Sequence, residues 1–253
     1  MKMHMLNGGR LRMRKSVYVP GSDRSEMIDL PVLCTLLRHP QGNVLFDTGC
    51  HPSVAADAQG RWGDMAKSLT PVGAPDVHVV AELARLALTP DDIDVVINSH
   101  LHSDHCGCNE YFKRATVLCH RRELDAAGAD NGVQMGYIPA DWQHPMPVDA
   151  IDAQRDLYGD GKIVLLPLPG HTPGSIGALI ALERDGPFLL AADAAPLRLT
   201  LDQAALPRNT RDPEQAAQSL DEIRRIEAAG TQIVFGHDDM QWAQMRKGAD
   251  AYE

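Results

Sequence analysis

Short apolar runs alternate with helical patterns along almost the whole chain, and this alternation constrains the fold more than any other feature. The runs are rich in Val, Ile and Leu, which is typical of buried strands. We predict strands at 32–37, 44–46, 95–98, 116–119, 163–168, 176–182, 188–191 and 233–235. We predict helices at 79–88, 121–127 and 213–229. No linker or repeat interrupts them, so residues 1–253 are predicted to form one α/β domain of layered sheets covered by helices.

The helix at 213–229 has the clearest boundaries. Asp212 suits the N-cap position, Pro213 the first helical position and Gly230 the position after the last turn. Its apolar side chains recur at helical spacing, which predicts that one face packs on a sheet. These side chains are Ala216, Ala217, Leu220, Ile223 and Ile226.

Two segments, 51–75 and 129–161, fit poorly into regular elements. Long irregular stretches inside a compact domain are often functional loops. The second segment carries Tyr137, Trp142 and Tyr158, which we predict to line a substrate pocket. The alternative is that these aromatic side chains only anchor the loop locally.

Composition narrows the functional classes. The 253 residues include 24 Lys and Arg against 34 Asp and Glu, a formal net charge of −10. Such a charge argues against non-specific binding to nucleic acid or to an anionic membrane. The basic N-terminal stretch lacks the apolar core of a signal peptide, and no run is apolar enough to span a bilayer. We therefore expect a cytoplasmic enzyme.

One stretch, VVINSHLHSDHCG, carries the strongest chemical signal. A predicted strand leads directly into His100, His102, Asp104 and His105. In an extended segment, positions 100, 102 and 104 face one way, with His105 at the bend. Imidazole nitrogen and carboxylate oxygen are the ligands that zinc prefers. The sequence therefore predicts a metal site here.

Three further polar residues each follow an apolar run. His171 lies in LLPLPGHTPGS, Asp193 in FLLAADA and His237 in IVFGHDD. Each alone is a weak signal, because a lone polar residue in a loop is common. Their joint occurrence after predicted strands indicates that they meet the histidine motif at a sheet edge.

HxHxDH, followed by GHTPGS, AAD and GHD in that order, resembles the metallo-β-lactamase superfamily. The resemblance implies an αββα sandwich of two mixed sheets, with two metal ions, expected to be zinc although other divalent metals remain open. By this resemblance one metal binds His100, His102 and His171, the other binds Asp104, His105 and His237, and Asp193 bridges them. Asp47, in NVLFDTG, matches an acidic position that would orient a ligand histidine. The alternative for Asp47 is a turn ahead of Gly49.

Within the superfamily, the chain is most similar to N-acyl-homoserine lactonases and 4-pyridoxolactonase. The similarity lies in LPVLCTLLRHPQGNVLFDTG, DIDVVINSHLHSDHCGCNEYF and FGHDD. It implies a quorum-quenching lactonase, an ester hydrolase acting on a small lactone. One departure is Pro196, where many of those lactonases have a substrate-contacting Tyr. Tyr137 or Tyr158 could replace that phenol in space.

The resemblance also implies a mechanism. A hydroxide shared by two zinc ions would attack the lactone carbonyl, since zinc lowers the pKa of bound water to about 7. The other metal ion, or Asp104 and Asp193 nearby, would assist the leaving alkoxide, with Asp193 as the proton shuttle. Bridging two cations would make Asp193 a weak base, which counts against that role.

Several alternatives stay open. The same site could hydrolyse a β-lactam, an organophosphate or an aryl ester, or the protein could be a redox protein that uses iron with Cys106 or Cys108. Buried small residues at a helix start are the favoured interpretation of those two cysteines. The five cysteines are odd in number and irregularly spaced, which argues against a disulfide framework.

The resemblance suggests a homodimer. Four N-terminal apolar residues are predicted to lie at an interface or in the pocket wall, namely Met3, Met5, Leu6 and Met13.

Overall fold

The computed structural model describes residues 1–253 and contains two mixed β-sheets. Seven strands form the first sheet in the order β4-β1-β2-β3-β5-β6-β7. They are Lys2–Arg14 (β1), Met27–His39 (β2), Gly42–Phe46 (β3), Thr70–Pro71 (β4), Val95–Ile97 (β5), Thr116–His120 (β6) and Val148–Ile151 (β7). β3, β5, β6 and β7 run parallel to one another, whereas β1 and β2 pair antiparallel.

Five strands form the second sheet in the order β12-β11-β10-β9-β8. They are Arg155–Asp156 (β8), Ile163–Pro167 (β9), Ile176–Leu182 (β10), Gly186–Ala192 (β11) and Gln232–Phe235 (β12). Only β11 and β12 are parallel in this sheet. All eight predicted strands are present, with ends that differ by a few residues.

Eight α-helices accompany the sheets. They are Val54–Trp62 (α1), Val79–Arg85 (α2), Ser103–Cys106 (α3), Arg121–Ala127 (α4), Pro139–Trp142 (α5), Arg198–Gln203 (α6), Pro213–Ala228 (α7) and Asp239–Gln244 (α8). The predicted boundaries of α7 are confirmed, because the Asp212 side chain accepts hydrogen bonds from the amides of Glu214 and Gln215. None of the helices is both long enough and apolar enough to cross a membrane.

The core is layered as a sandwich. A cluster of 19 buried residues fills the space between the sheets, with side chains such as Phe46 and Ile97 from one sheet and Ile176 and Phe188 from the other. The outer face of the first sheet packs on α2, and the outer face of the second sheet packs on α7. This arrangement confirms the predicted αββα order.

The N-terminal strand β1 was absent from the sequence prediction. Its residues Met3 and Met5 are fully buried between the sheets, and Leu6 is fully buried on the outer face of the first sheet. Their prediction as interface or pocket residues is therefore wrong. Met13 packs beside Tyr18 in a small satellite cluster.

The two segments predicted to be irregular contain more regular structure than expected. Residues 51–75 include α1 and β4, and residues 129–161 include α5, β7 and β8. β7 extends the parallel part of the first sheet by pairing with β6. The second segment therefore belongs partly to the framework rather than to a single long loop.

Candidate metal centre

The topology brings the chemically active residues to one edge of the sandwich. β3 and β5 are parallel neighbours, so Asp47 and the His100 segment emerge at the same edge of the first sheet. β11 and β12 are parallel neighbours in the second sheet, so Asp193 and His237 emerge together. His171 lies in the connection between β9 and β10.

All seven residues predicted as ligands meet at this edge. Their donor atoms form three groups, each within 4.8 Å: His100, His102 and His171; His100, His105 and Asp193; and Asp104, His105 and His237. The first and third groups match the two predicted ligand sets. Asp193 lies between them, with Oδ2 3.3 Å from His171 Nε2 and Oδ1 2.9 Å from His237 Nε2. Their role as metal ligands remains a prediction.

The local geometry of the HxHxDH motif differs from the extended segment that was predicted. His102 is extended and precedes α3, whereas Asp104 and His105 lie inside that short helix. The helical turn therefore directs Asp104 and His105 toward the second group, while His100 and His102 reach the first. Strand alternation therefore accounts for His100 and His102, whereas Asp104 and His105 owe their direction to the helical turn.

Hydrogen bonds fix several of the imidazole rings. His105 Nδ1 lies 2.8 Å from Asp47 Oδ2, His237 Nδ1 lies 2.8 Å from the Pro31 carbonyl oxygen, and His102 Nε2 lies 3.1 Å from the Met135 carbonyl oxygen. A carbonyl oxygen can only accept, so the ring nitrogen facing it must donate. The opposite nitrogen of each ring then presents its lone pair to the cluster.

Asp47 is itself held in place. Its Oδ1 accepts from the Ser99 amide at 2.7 Å and its Oδ2 from the Ser99 hydroxyl at 2.7 Å. Burial raises the pKa of Asp47, and the favourable contacts with His105 and Ser99 oppose that rise. Its φ of 60° lies in the left-handed region, which costs about 1–3 kcal/mol and is common at functional sites. Asp47 thus contacts a cluster histidine rather than only forming a turn.

The electrostatics of the cluster fit bound cations. His105 Nε2, His237 Nε2 and Asp193 Oδ1 are buried and lack a hydrogen bond of good geometry. Burial lowers the pKa of His171 to about 4, which leaves its ring neutral. Burial opposes the ionisation of Asp193, but His237 and His171 hold the pKa of that carboxyl well below its usual value. Neutral imidazole and ionised carboxylate are the forms that bind zinc. Burial lowers the pKa of His105 and His237, but the neighbouring aspartates outweigh it and raise both, which favours the protonated rings until a cation takes the place of the protons.

The cysteines lie outside the three groups. All five are free and buried. The Cys106 thiol donates to the Leu101 carbonyl oxygen and the Cys108 thiol to the Cys50 carbonyl oxygen. Burial raises the pKa of both thiols. This arrangement favours their interpretation as packing residues.

A cavity of about 120 Å³ adjoins the cluster. Its wall includes His102, Met135, Tyr137, His171, Asn209 and Arg211. The Tyr137 ring lies 5.3 Å from the His102 ring, so the structure places this predicted pocket residue beside the site. Trp142 instead packs with Tyr137 against Leu101 and is not part of the cavity wall.

Tyr158 does not lie at the site. Its ring stacks on His39, with centroids 4.5 Å apart, and the hydroxyl lies near Gly42 at the start of β3. The cluster lies beyond the opposite end of that strand. The prediction of Tyr158 as a pocket residue is therefore wrong, because the turn that carries it returns the chain into β9 at the far end of the sandwich.

Two residues at the site had no sequence signal. The Tyr18 hydroxyl lies 3.4 Å from Asp193 Oδ2 although 175 positions separate them. Glu123, fully buried in the first turn of α4, accepts from the Leu101 amide at 3.1 Å and the Gly174 amide at 2.9 Å. It therefore joins the His100–His102 segment to the loop that carries His171.

Fold and site together define a metalloprotein built on an αββα sandwich. The model of the metallo-beta-lactamase superfamily matches residues 27–237. The chain belongs to this superfamily.

Two similar relatives are N-acyl homoserine lactonases named AttM. The one from Azorhizobium caulinodans is 32% identical, over 100% of this chain and 98% of the relative. The one from Agrobacterium fabrum is 31% identical, over 99% of this chain and 98% of the relative. The similarity therefore extends over the whole length of both proteins.

Solved structures of the same group superpose closely. An N-acyl homoserine lactone hydrolase with N-hexanoyl-L-homoserine bound at its catalytic metal centre matches with a TM-score of 0.90 and 26% identity, over 99% of this chain and 98% of that chain. A variant of AiiA from B. thuringiensis with N-decanoyl-L-homoserine at its active site gives the same TM-score, identity and coverage.

Proposed function

We propose that this protein is a dinuclear zinc hydrolase, a single domain over residues 1–253, that opens the ring of N-acyl homoserine lactones or closely related lactones. The observation that carries the proposal is the convergence of five histidines and two aspartates at one sheet edge. Full-length similarity to N-acyl homoserine lactonases supports the substrate class.

The seven residues form two proposed ligand groups, one for each cation. His100, His102 and His171 would bind one, Asp104, His105 and His237 the other, and Asp193 both. When bound, such cations polarise a carbonyl and lower the pKa of water toward about 7, so that a nucleophile exists at neutral pH. Asp47 and the Pro31 carbonyl keep two of the rings oriented.

Lactone opening adds water to the carbonyl carbon, breaks the ring C–O bond and places a proton on the leaving oxygen. Asp104 is the better candidate to deliver that proton, because its side chain retains 14% exposure at the cluster. Asp193 is less suited, since the histidines around it hold the pKa of its carboxyl low. The cavity beside His102 would receive the acyl substituent.

Elemental analysis combined with a proton-release assay on a lactone panel tests the proposal. We expect about two zinc ions per chain, as in dinuclear hydrolytic sites, and lactone opening that chelation abolishes. His102→Ala should lose zinc and activity together. His144→Ala, which changes a half-buried histidine outside the three groups, is the matched control and should lose neither.

Two results would contradict the proposal in different ways. Bound zinc without turnover of any lactone would retain the metal centre and reject the substrate class. Bound iron without hydrolysis would reject the reaction itself.

A further inference from the structure

The buried phenol of Tyr18 has no part in the reaction outlined above. The side chain is 4% exposed, and its hydroxyl is 3.4 Å from Asp193 Oδ2. Its ring lies edge-on to the His237 ring, with centroids 5.9 Å apart. A hydrogen-bond donor so close to both ligand sets requires an explanation.

The backbone around Tyr18 fixes its position. The preceding residue, Val17, accepts a hydrogen bond from the Arg208 amide at 2.8 Å. Leu30 and Leu197 pack against the Tyr18 ring. The Asn209 side chain neighbours the phenol and forms part of the cavity wall. The phenol therefore lies beside the cluster, with a residue of the cavity wall as its neighbour.

The hydrogen bond that the Tyr18 hydroxyl donates to Asp193 is long. At 3.4 Å it is longer than the roughly 2.7–2.8 Å of a good O–H···O hydrogen bond. Asp193 Oδ1 already faces His237 and His105, and Oδ2 faces His171. If both carboxylate oxygens are committed to cations, a buried donor such as this one needs another acceptor.

We propose that Tyr18 is a catalytic residue that donates a hydrogen bond to an oxygen of the bound lactone. The acceptor is the carbonyl oxygen, which gains negative charge as water adds to the carbonyl carbon and becomes part of the product carboxylate after the ring C–O bond breaks. A donor aimed at developing charge in a water-poor site stabilises the transition state. This inference rests on the lactonase function proposed above.

Pro196 cannot supply the phenol that many of the similar lactonases have at this position. Pro196 has no side-chain donor, and its carbonyl oxygen accepts from the His237 amide at 2.8 Å. Tyr137 lies near His102, and Tyr158 lies at the far end of the sandwich. Tyr18, brought in after β1, is the phenol that contacts Asp193.

The test compares Tyr18→Phe with Tyr158→Phe, which removes a distant phenol as a matched control. Both zinc-loaded variants are assayed for zinc content, for kcat and KM on N-hexanoyl-homoserine lactone, and for calorimetric affinity toward N-hexanoyl-L-homoserine. We expect Tyr18→Phe to keep its zinc, to lose about 10²–10³-fold in kcat, and to bind the ring-opened product more weakly. Tyr158→Phe should match the wild type in all three.

The outcomes separate this inference from the proposed function. If Tyr18→Phe leaves zinc content, kcat and product affinity unchanged, the inference about Tyr18 is wrong, but the proposed lactonase function is unaffected. Loss of zinc in proportion to activity would also overturn it, because Tyr18 would then support the metal centre rather than contact the lactone. A wild-type enzyme that opens no lactone would reject the proposed function and this inference with it.

Discussion

Asp47 shows how a single residue outside the seven-residue cluster can shape the site. Its carboxylate contacts His105 and receives two hydrogen bonds from Ser99. Such a partner fixes which ring nitrogen carries the proton and increases the basicity of the other nitrogen. The left-handed backbone at Asp47 aims the carboxylate beneath His105.

Asp47→Asn is expected to weaken zinc binding by about 10–100-fold, because the amide replaces a charged acceptor at His105 Nδ1. Titration against a competing chelator measures this change. Asp160→Asn is the matched control, since Asp160 pairs with His39 at 2.8 Å away from the cluster. Equal zinc affinity in the two variants would contradict the role given to Asp47.

The convergence of the seven cluster residues could be predicted because each belongs to a short motif that directly follows an apolar run. Because neighbouring parallel strands end at the same edge of a sheet, the residues that follow them lie close together. Tyr18 could not be predicted in this way, because its contact with Asp193 depends on how the segment after β1 packs near residues 197 and 208. Tyr158 was predicted at the wrong end of the sandwich. An aromatic residue in a long segment carries no sequence signal of the sheet end at which it lies.

At the scale of elements, α7 is the helix whose limits the sequence defines best. Asp212 caps its first turn through the amides of Gln215 and Glu214, and these hydrogen bonds lower the pKa of the Asp212 carboxyl. A lowered pKa in the folded state means that the stabilisation is complete above the unfolded value of about 3.9. It is lost as pH falls through the folded-state pKa.

Asp212→Ala should therefore lower Tm by about 2–4 °C near pH 7, and by progressively less as pH falls below about 4. Thermal unfolding at several pH values measures both effects. Asp221→Ala, which removes an exposed carboxylate paired with Arg224 on the same helix, should change Tm much less. A pH-independent loss would indicate that the cap acts through something other than its charge.

Helix α4 contributes Glu123, which joins the two loops of the first ligand group. Glu123→Gln should destabilise the protein by about 1–3 kcal/mol, because the amide nitrogen cannot accept from one of the two backbone amides. Denaturant unfolding of the zinc-free protein isolates this cost. Glu110→Gln, which alters a more exposed carboxylate near Arg61, provides the comparison. An unchanged unfolding free energy would show that the loops hold without Glu123.

Strands with consecutive buried apolar residues, such as β10, were predicted well because both faces of a central strand are covered. β1 was missed, since Arg, Lys, Asn and two Gly interrupt its apolar residues and a register shift lies between Asn7 and Gly9. β7 was missed because it is a short edge strand with little buried apolar surface. Tertiary pairing, rather than local pattern, defines both.

At the scale of the whole molecule, the cluster joins the two sheets. Ions bound there would contact loops from both, so zinc binding should stabilise the sandwich as a unit. Each site adds ~4 kcal/mol when free zinc is ~1,000-fold above its dissociation constant. Chelation should accordingly lower Tm, and added zinc should restore it. Identical Tm values for zinc-free and zinc-loaded protein would contradict this linkage.

The residues of the cluster are synthesised in two stages, because they are separated along the chain. Four of its members lie within the six residues 100–105, whereas His171, Asp193 and His237 follow much later. A nascent chain would therefore expose these four residues to zinc well before the second sheet exists. An ion bound at that stage would contact only residues 100–105. Zinc binding to the unfolded chain reduces the free energy by which zinc stabilises the folded protein. If the seven residues bind two ions as proposed, full occupancy would require His237, and maturation of the centre would follow the docking of β12.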